Sequence, residues 1–141
     1  MLKKFKEFTV RGNIIAVLLA VLVLAAGCGR STEIKLDAND NGRQIELEKG
    51  QVLVITLESN PTTGYRWEVV EFEEPILQQM GEAEFKQSDP REPPPPGTGG
   101  WETFRFEATS AGQMTLKLVY HRPWEEGVDP LETFSVQVVV R

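Results

Sequence analysis

The chain has 141 residues, enough for one domain and little else. It carries 15 Lys and Arg against 21 Asp and Glu, a formal net charge of −6 at pH 7. So acidic a balance makes nucleic acid and anionic membrane surfaces poor partners.

The first 27 residues differ from the rest. Lys3, Lys4, Lys6 and Arg11 make a basic start, and an apolar run of about 13 residues follows, from Ile14 to Ala26. A membrane-spanning helix needs about 20 residues, so residues 1–27 read as a secretory signal peptide. The run ends Leu24-Ala25-Ala26-Gly27-Cys28, with the chain's only cysteine directly after small residues. That ending resembles the bacterial lipobox, whose cysteine is lipidated on its thiol and becomes the new N-terminus after cleavage. The resemblance implies lipidation at Cys28, a short tether over residues 28–32, and an exported protein anchored at the bacterial cell envelope. The membrane is then a partner through the lipid alone. Residues 1–27 hold four of the basic residues and one of the acids, so their removal leaves a net charge of about −9. With Cys28 carrying lipid, no thiol remains for a disulfide, a nucleophile or a metal ligand. The domain over residues 33–141 must then be held by its core, which about 110 residues can supply.

From Glu33 onward apolar residues recur at every second position, the mark of half-buried strands. Ile34 and Leu36 alternate first, and Asn39 to Gly42 turns the chain. Ile45 and Leu47 follow, then Lys49-Gly50 breaks the pattern. Val52 to Leu57 is almost continuously apolar, as in a central strand covered on both faces. Tyr65, Trp67 and Val69 alternate next. Leu77 to Phe85 fits a strand or a short helix and is read as a strand. Phe104, Phe106 and Ala108 share one face; Met114, Leu116, Leu118 and Tyr120 share another. Phe134, Val136, Val138 and Val140 close the chain. About seven or eight strands at such spacings predict an all-β fold, an immunoglobulin-like antiparallel β-sandwich.

Three loop segments stand out between these strands. In Asn60-Pro61-Thr62-Thr63-Gly64-Tyr65, Asn60 can bond nearby backbone amides and Pro61 fixes φ. Gly64 can take the left-handed conformation that returns the chain to a strand. The result is a stiff knuckle with two hydroxyls at its tip, or an ordinary interstrand turn. Next come Pro93 to Pro96 and Gly97-Thr98-Gly99-Gly100, inside a long loop from about Gln87 to Gly100. The prolines favour polyproline II geometry and the glycines allow close backbone approach. Composition alone reads this segment as a flexible hairpin connection, and a backbone edge for another chain is the alternative. The third segment is His121-Arg122-Pro123-Trp124. Trp and Arg are the residues most enriched at binding hot spots; equally, Trp124 could fold back on the sandwich with Arg122 stacked on its ring.

Taken together and in this order, the three segments resemble the loops of the chagasin family of cysteine-protease inhibitors. That family's marks are an Asn-Pro-Thr-Thr-Gly-aromatic loop, a Gly-rich loop and an Arg-Pro-Trp loop. The first and third match in full, the second is a weak pattern of glycines, and the resemblance spans essentially the whole domain. It implies three loops side by side at one end of the sandwich, reversibly blocking the active-site cleft of a papain-like cysteine protease. Thr62 and Thr63 would enter near the catalytic Cys–His pair. Gly97 to Gly100 would pair by backbone on the non-primed side. Trp124 would pack on the primed side with Arg122 in support.

An enzyme is not expected. His121 is the only histidine, and no Ser-His-acid spacing stands out. Glu71, Glu73, Glu74, Glu125 and Glu126 read as solvated surface, without the Asp/Asn loop spacing of a calcium site. The expectation is therefore a monomer with no cofactor and no metal. The alternative function is a cell-surface adhesion or assembly module, since an immunoglobulin-like scaffold does not fix function.

Overall fold

A computed structural model describes residues 32–70 and 75–141. The segment 1–27, Cys28 with its tether up to residue 31, and Glu71, Glu73 and Glu74 lie outside the described residues. Among the described residues no helix is long and apolar enough to cross a membrane.

Among the described residues nine strands form, against the seven or eight expected: β1 (Glu33–Leu36), β2 (Gln44–Leu47), β3 (Val52–Ser59), β4 (Arg66–Val69), β5 (Leu77–Gln79), β6 (Glu84–Gln87), β7 (Gly100–Ala108), β8 (Gly112–His121) and β9 (Glu132–Val140). One sheet has the order β1-β3-β7-β5, with β6 also on β7; the other runs β2-β9-β8-β4. The ambiguous segment from Leu77 to Phe85 is extended but broken in two. β5 pairs with Phe106–Ala108 and β6 with Gly100–Thr103, dividing one edge of β7 between them. The break falls at Gly81, whose φ is +73°.

The sheets are mixed, and this is where the arrangement departs from a purely antiparallel one. β1 runs parallel to β3 and β2 runs parallel to β9; the other pairings are antiparallel. The reason lies in the short turn between β1 and β2. Asp37 accepts the Asn39 N–H at 2.8 Å and Asp40 accepts the Asp37 N–H at 2.9 Å, a reciprocal cap on the 3₁₀ turn Ala38–Asp40. The chain leaves one sheet there and enters the other, so β1 and β2 join different edges instead of forming a hairpin.

The inward faces are those that the alternation marked. Leu53, Ile55, Phe106, Leu116, Leu118, Phe134 and Val138 are buried between the sheets, with Leu36, Ile45, Leu47 and Trp67 around them. Each such side chain contributes about 1.5–3 kcal/mol of transfer free energy. Val54, on the opposite face of β3, is also buried, in line with a central strand. Among the described residues the core is drawn from residues 34–140, within the compact unit Ser31–Arg141.

Strand register then decides where the loops go. Ser59 pairs with Gly100, Arg66 with His121 and Tyr120 with Glu132. The connections 60–65, 88–99 and 122–131 therefore all leave from the same end.

Candidate functional site

The knuckle is built by Asn60, which caps the 3₁₀ turn Pro61–Thr63. Its Oδ1 accepts the Thr62 N–H at 3.3 Å and the Thr62 hydroxyl at 2.6 Å. Its backbone carbonyl accepts from the Thr63 N–H at 3.1 Å and the Thr63 hydroxyl at 2.6 Å. Both threonine hydroxyls are thus turned back onto Asn60, where the sequence suggested a polar tip. Gly64 ends the turn with φ +82° and donates its N–H to the Pro61 carbonyl at 3.0 Å.

Beneath the knuckle the Asn60 N–H donates to the Tyr120 hydroxyl at 2.9 Å. The Tyr120 ring lies against Tyr65, with centroids 5.3 Å apart, and against Trp67 at 5.0 Å. The Trp67 indole N–H in turn reaches the Glu58 carbonyl at 2.8 Å. An aromatic stack drawn from β4, β8 and the loop's last residue therefore anchors the turn from below. Tyr120 was legible as an inward residue by alternation, but no pattern in the sequence marks its hydroxyl as a support for Asn60.

Asn60 also ties the second loop to the first, donating from Nδ2 to the Gly97 carbonyl at 3.2 Å. Gly97 has φ +80° in a turn closed by the Thr98 N–H on the Pro95 carbonyl at 3.2 Å. The Gly99 carbonyl accepts from the Ser88 N–H at 3.0 Å and the Ser88 hydroxyl at 2.9 Å. Gly100 is not part of an open edge. It is the buried first residue of β7, paired with Ser59 on one side and Gln87 on the other, and a Cβ there would collide with the Lys86 carbonyl. The surface portion of this segment is therefore Gly97 to Gly99. In the same loop the Arg91 guanidinium, bonded to Asp89 at 2.5 Å, holds that carboxyl below the usual carboxylate range.

The third loop is tied on the other side. Arg122 donates from Nε to the Thr63 carbonyl at 3.1 Å and from a terminal nitrogen to Glu125 Oε1 at 3.1 Å. Its Cζ lies 4.4 Å from the centroid of Tyr65. The ring under Arg122 is thus Tyr65 and not Trp124, and Glu125 is a partner of Arg122 instead of free surface. The Glu125 N–H closes a turn on the Arg122 carbonyl at 3.1 Å, which carries Pro123 and Trp124 outward. Trp124 is 67% exposed, with one edge of its indole against Gly64. His121 belongs to β8 and sits 2.7 Å from Glu68 Oε2 across the ladder. Among the described residues no group of three His, Cys, Asp or Glu side chains is placed to hold a metal.

Chemically the arrangement offers an edge of three loops tied together by hydrogen bonds. The central knuckle is bonded to both neighbours, and a large apolar side chain projects at one side.

Known proteins are similar to this chain in sequence and fold. The model of the Chagasin family peptidase inhibitor matches residues 46–138. The chain is 32% identical over 105 residues to chagasin of Trypanosoma cruzi, covering 72% of this chain and 93% of chagasin. It is 29% identical over 109 residues to amoebiasin-2 of Entamoeba histolytica, covering 75% of this chain and 84% of that protein. The crystal structure of a cysteine protease inhibitor from Entamoeba histolytica superposes with a TM-score of 0.67 at 26% identity, covering 77% of this chain and 96% of that one.

Proposed function

The chain belongs to the chagasin family of peptidase inhibitors, and from that premise we propose that it blocks the cleft of papain-like cysteine proteases with the edge formed by its three loops. It is a cysteine protease inhibitor and not an enzyme. Asn60 to Tyr65 is the central wedge, Gly97 to Gly99 lies along the non-primed side, and Trp124 packs on the primed side.

The observation that carries this reading is the bonding of the wedge to both neighbouring loops, through Asn60 to Gly97 and through Arg122 to Thr63. Rigidity of that kind lowers the ordering cost of binding. It also explains how a loop can sit in a protease cleft without being cut. Thiolate attack needs a carbonyl about 3–3.5 Å from sulfur in the right orientation. The carbonyls of Asn60, Pro61 and Thr63 each already accept hydrogen bonds within the loops. Turning one toward the thiolate would break the turn that positions it.

The test is a titration of a protein of residues 32–141 into papain. Reversible inhibition with the inhibitor chain intact on a denaturing gel is expected. Absence of inhibition across several papain-like enzymes, or steady cleavage of the inhibitor, would overturn the reading.

The protein acts as a monomer held at the bacterial envelope by a lipid on Cys28. The anchor is supported by the basic start, the short apolar run and the small residues before the chain's one cysteine.

A further inference from the structure

Beside the loop end, two adjoining cavities of about 360 and 430 Å³ open on the flank of the sandwich. Both are lined by Glu58, Trp101 and Glu132, so they form one groove, and the smaller reaches Asn60 and Gly99 of the loops. Among the described residues no Lys, Arg or His lines either part. Glu58 and Glu132 are exposed and take part in none of the ion pairs among the described residues. Lys86 stands across the ladder from Trp101 but lines neither cavity and pairs with neither carboxylate. Two unneutralised carboxylates thus flank an indole that is 41% exposed.

An independent observation comes from Ser59. It is 4% exposed, and its Oγ has no hydrogen-bond partner among the described residues. Strand alternation puts it on the inward face of β3 with Leu53, Ile55 and Leu57, and it lines the smaller cavity with Tyr120 and Glu132. Buried hydroxyls are ordinarily satisfied, and one left unbonded calls for an explanation. A ligand rich in N–H donors would supply the missing partner.

We infer that this groove binds the guanidinium or ammonium group of an Arg or Lys side chain presented by the bound protease. The carboxylates of Glu58 and Glu132 supply the opposite charge. The Trp101 indole offers a face for cation–π contact, and Ser59 Oγ accepts a hydrogen bond from the cation. That the side chain comes from a protease rests on the inhibitory reading; that the groove takes such a cation does not. A groove flanking the wedge would favour proteases with a basic residue on that rim.

The experiment has two arms, both with residues 32–141. In the first, n-butylguanidinium and its neutral counterpart n-butylurea are titrated while amide and indole resonances are followed by NMR. Saturable shifts at Trp101 and Ser59 are expected with the cation alone, weakened at least tenfold by Glu58→Gln with Glu132→Gln. No saturable shift, or equal shifts with the urea, would overturn the site. Trp101→Ala is a second variant, expected to weaken the cation's binding while leaving the exposed acids in place. The second arm measures papain inhibition with and without saturating cation. Weaker inhibition by the wild type, but not by the double Gln variant, supports a protease side chain as occupant; indifference of both overturns that assignment. The first arm contains no protease, so failure of the groove and failure of the inhibitory reading are separate results.

Discussion

The indole of Trp124 occupies the space that a side chain on residue 64 would need. A Cβ built on Gly64 falls 2.9 Å from Trp124 Cζ2 and closer still to Cη2. Gly64 is therefore required twice, once by its φ of +82° and once by the ring packed on it. Gly64→Ala is expected to weaken inhibition about tenfold or more, roughly 1.4 kcal/mol. Part of that loss should vanish when Trp124 is already Ala, because the collision is gone and only backbone strain remains. A double-mutant cycle on inhibition constants should show coupling of roughly 0.5–3 kcal/mol. Strictly additive losses would mean that the ring and the glycine are independent.

Trp124→Ala alone should cost on the order of 2 kcal/mol of binding, chiefly through faster dissociation. Its fold should be untouched, since the side chain is 67% exposed and such positions usually change stability by less than about 0.5 kcal/mol. Stopped-flow dissociation rates and a melting curve separate the two effects. A folded variant that dissociates as slowly as the wild type would remove Trp124 from the interface.

Arg122→Lys keeps the charge but cannot reproduce the geometry in which Nε holds Thr63, a terminal nitrogen holds Glu125 and the plane covers Tyr65. The expected loss of affinity is about 1–2 kcal/mol. Glu125→Gln should give a smaller loss in the same direction, because the ion pair is partly solvated. Equal inhibition constants for Arg122→Lys and the wild type would show that the knuckle does not depend on this clamp.

Phe106 is fully buried between the sheets, so Phe106→Ala should destabilise the domain by about 3–5 kcal/mol. Chemical denaturation should register this as a lower midpoint with an unchanged slope. A midpoint that barely moves would contradict the packing described for β7.

Cys28→Ser should abolish lipid attachment and lipoprotein processing in the producing cell. Metabolic labelling with a fatty-acid probe checks this; equal labelling of the mutant and the parent chain would refute the anchor.

The alternation of Phe104, Phe106 and Ala108, and that of Phe134 to Val140, was sufficient to assign inward faces. Burial of one side of a strand is written locally, at every second residue. The three loop motifs were legible for a similar reason. Asn60, Pro61, Gly64, Gly97 and Pro123 constrain their own backbone or its immediate neighbours, and that constraint acts over a few residues.

Pairing and contact were decided otherwise. The parallel placement of β1 on β3 and of β2 on β9 follows from a chain crossing between sheets, which the pattern within any one strand does not encode. The same holds for the site. Trp124 on Gly64, Arg122 over Tyr65 and Tyr120 under Asn60 join residues about 60 positions apart in the chain. Those meetings depend on the register of β3 with β7 and of β4 with β8, which sets where the loops leave the sheets, and a shift of one residue in β8 would turn Tyr120 to the opposite face. The sequence by itself therefore determined which segments are strands and which residues make the loops rigid. Only the tertiary structure decided which loop supports which, because cooperative pairing of distant strands sets those distances.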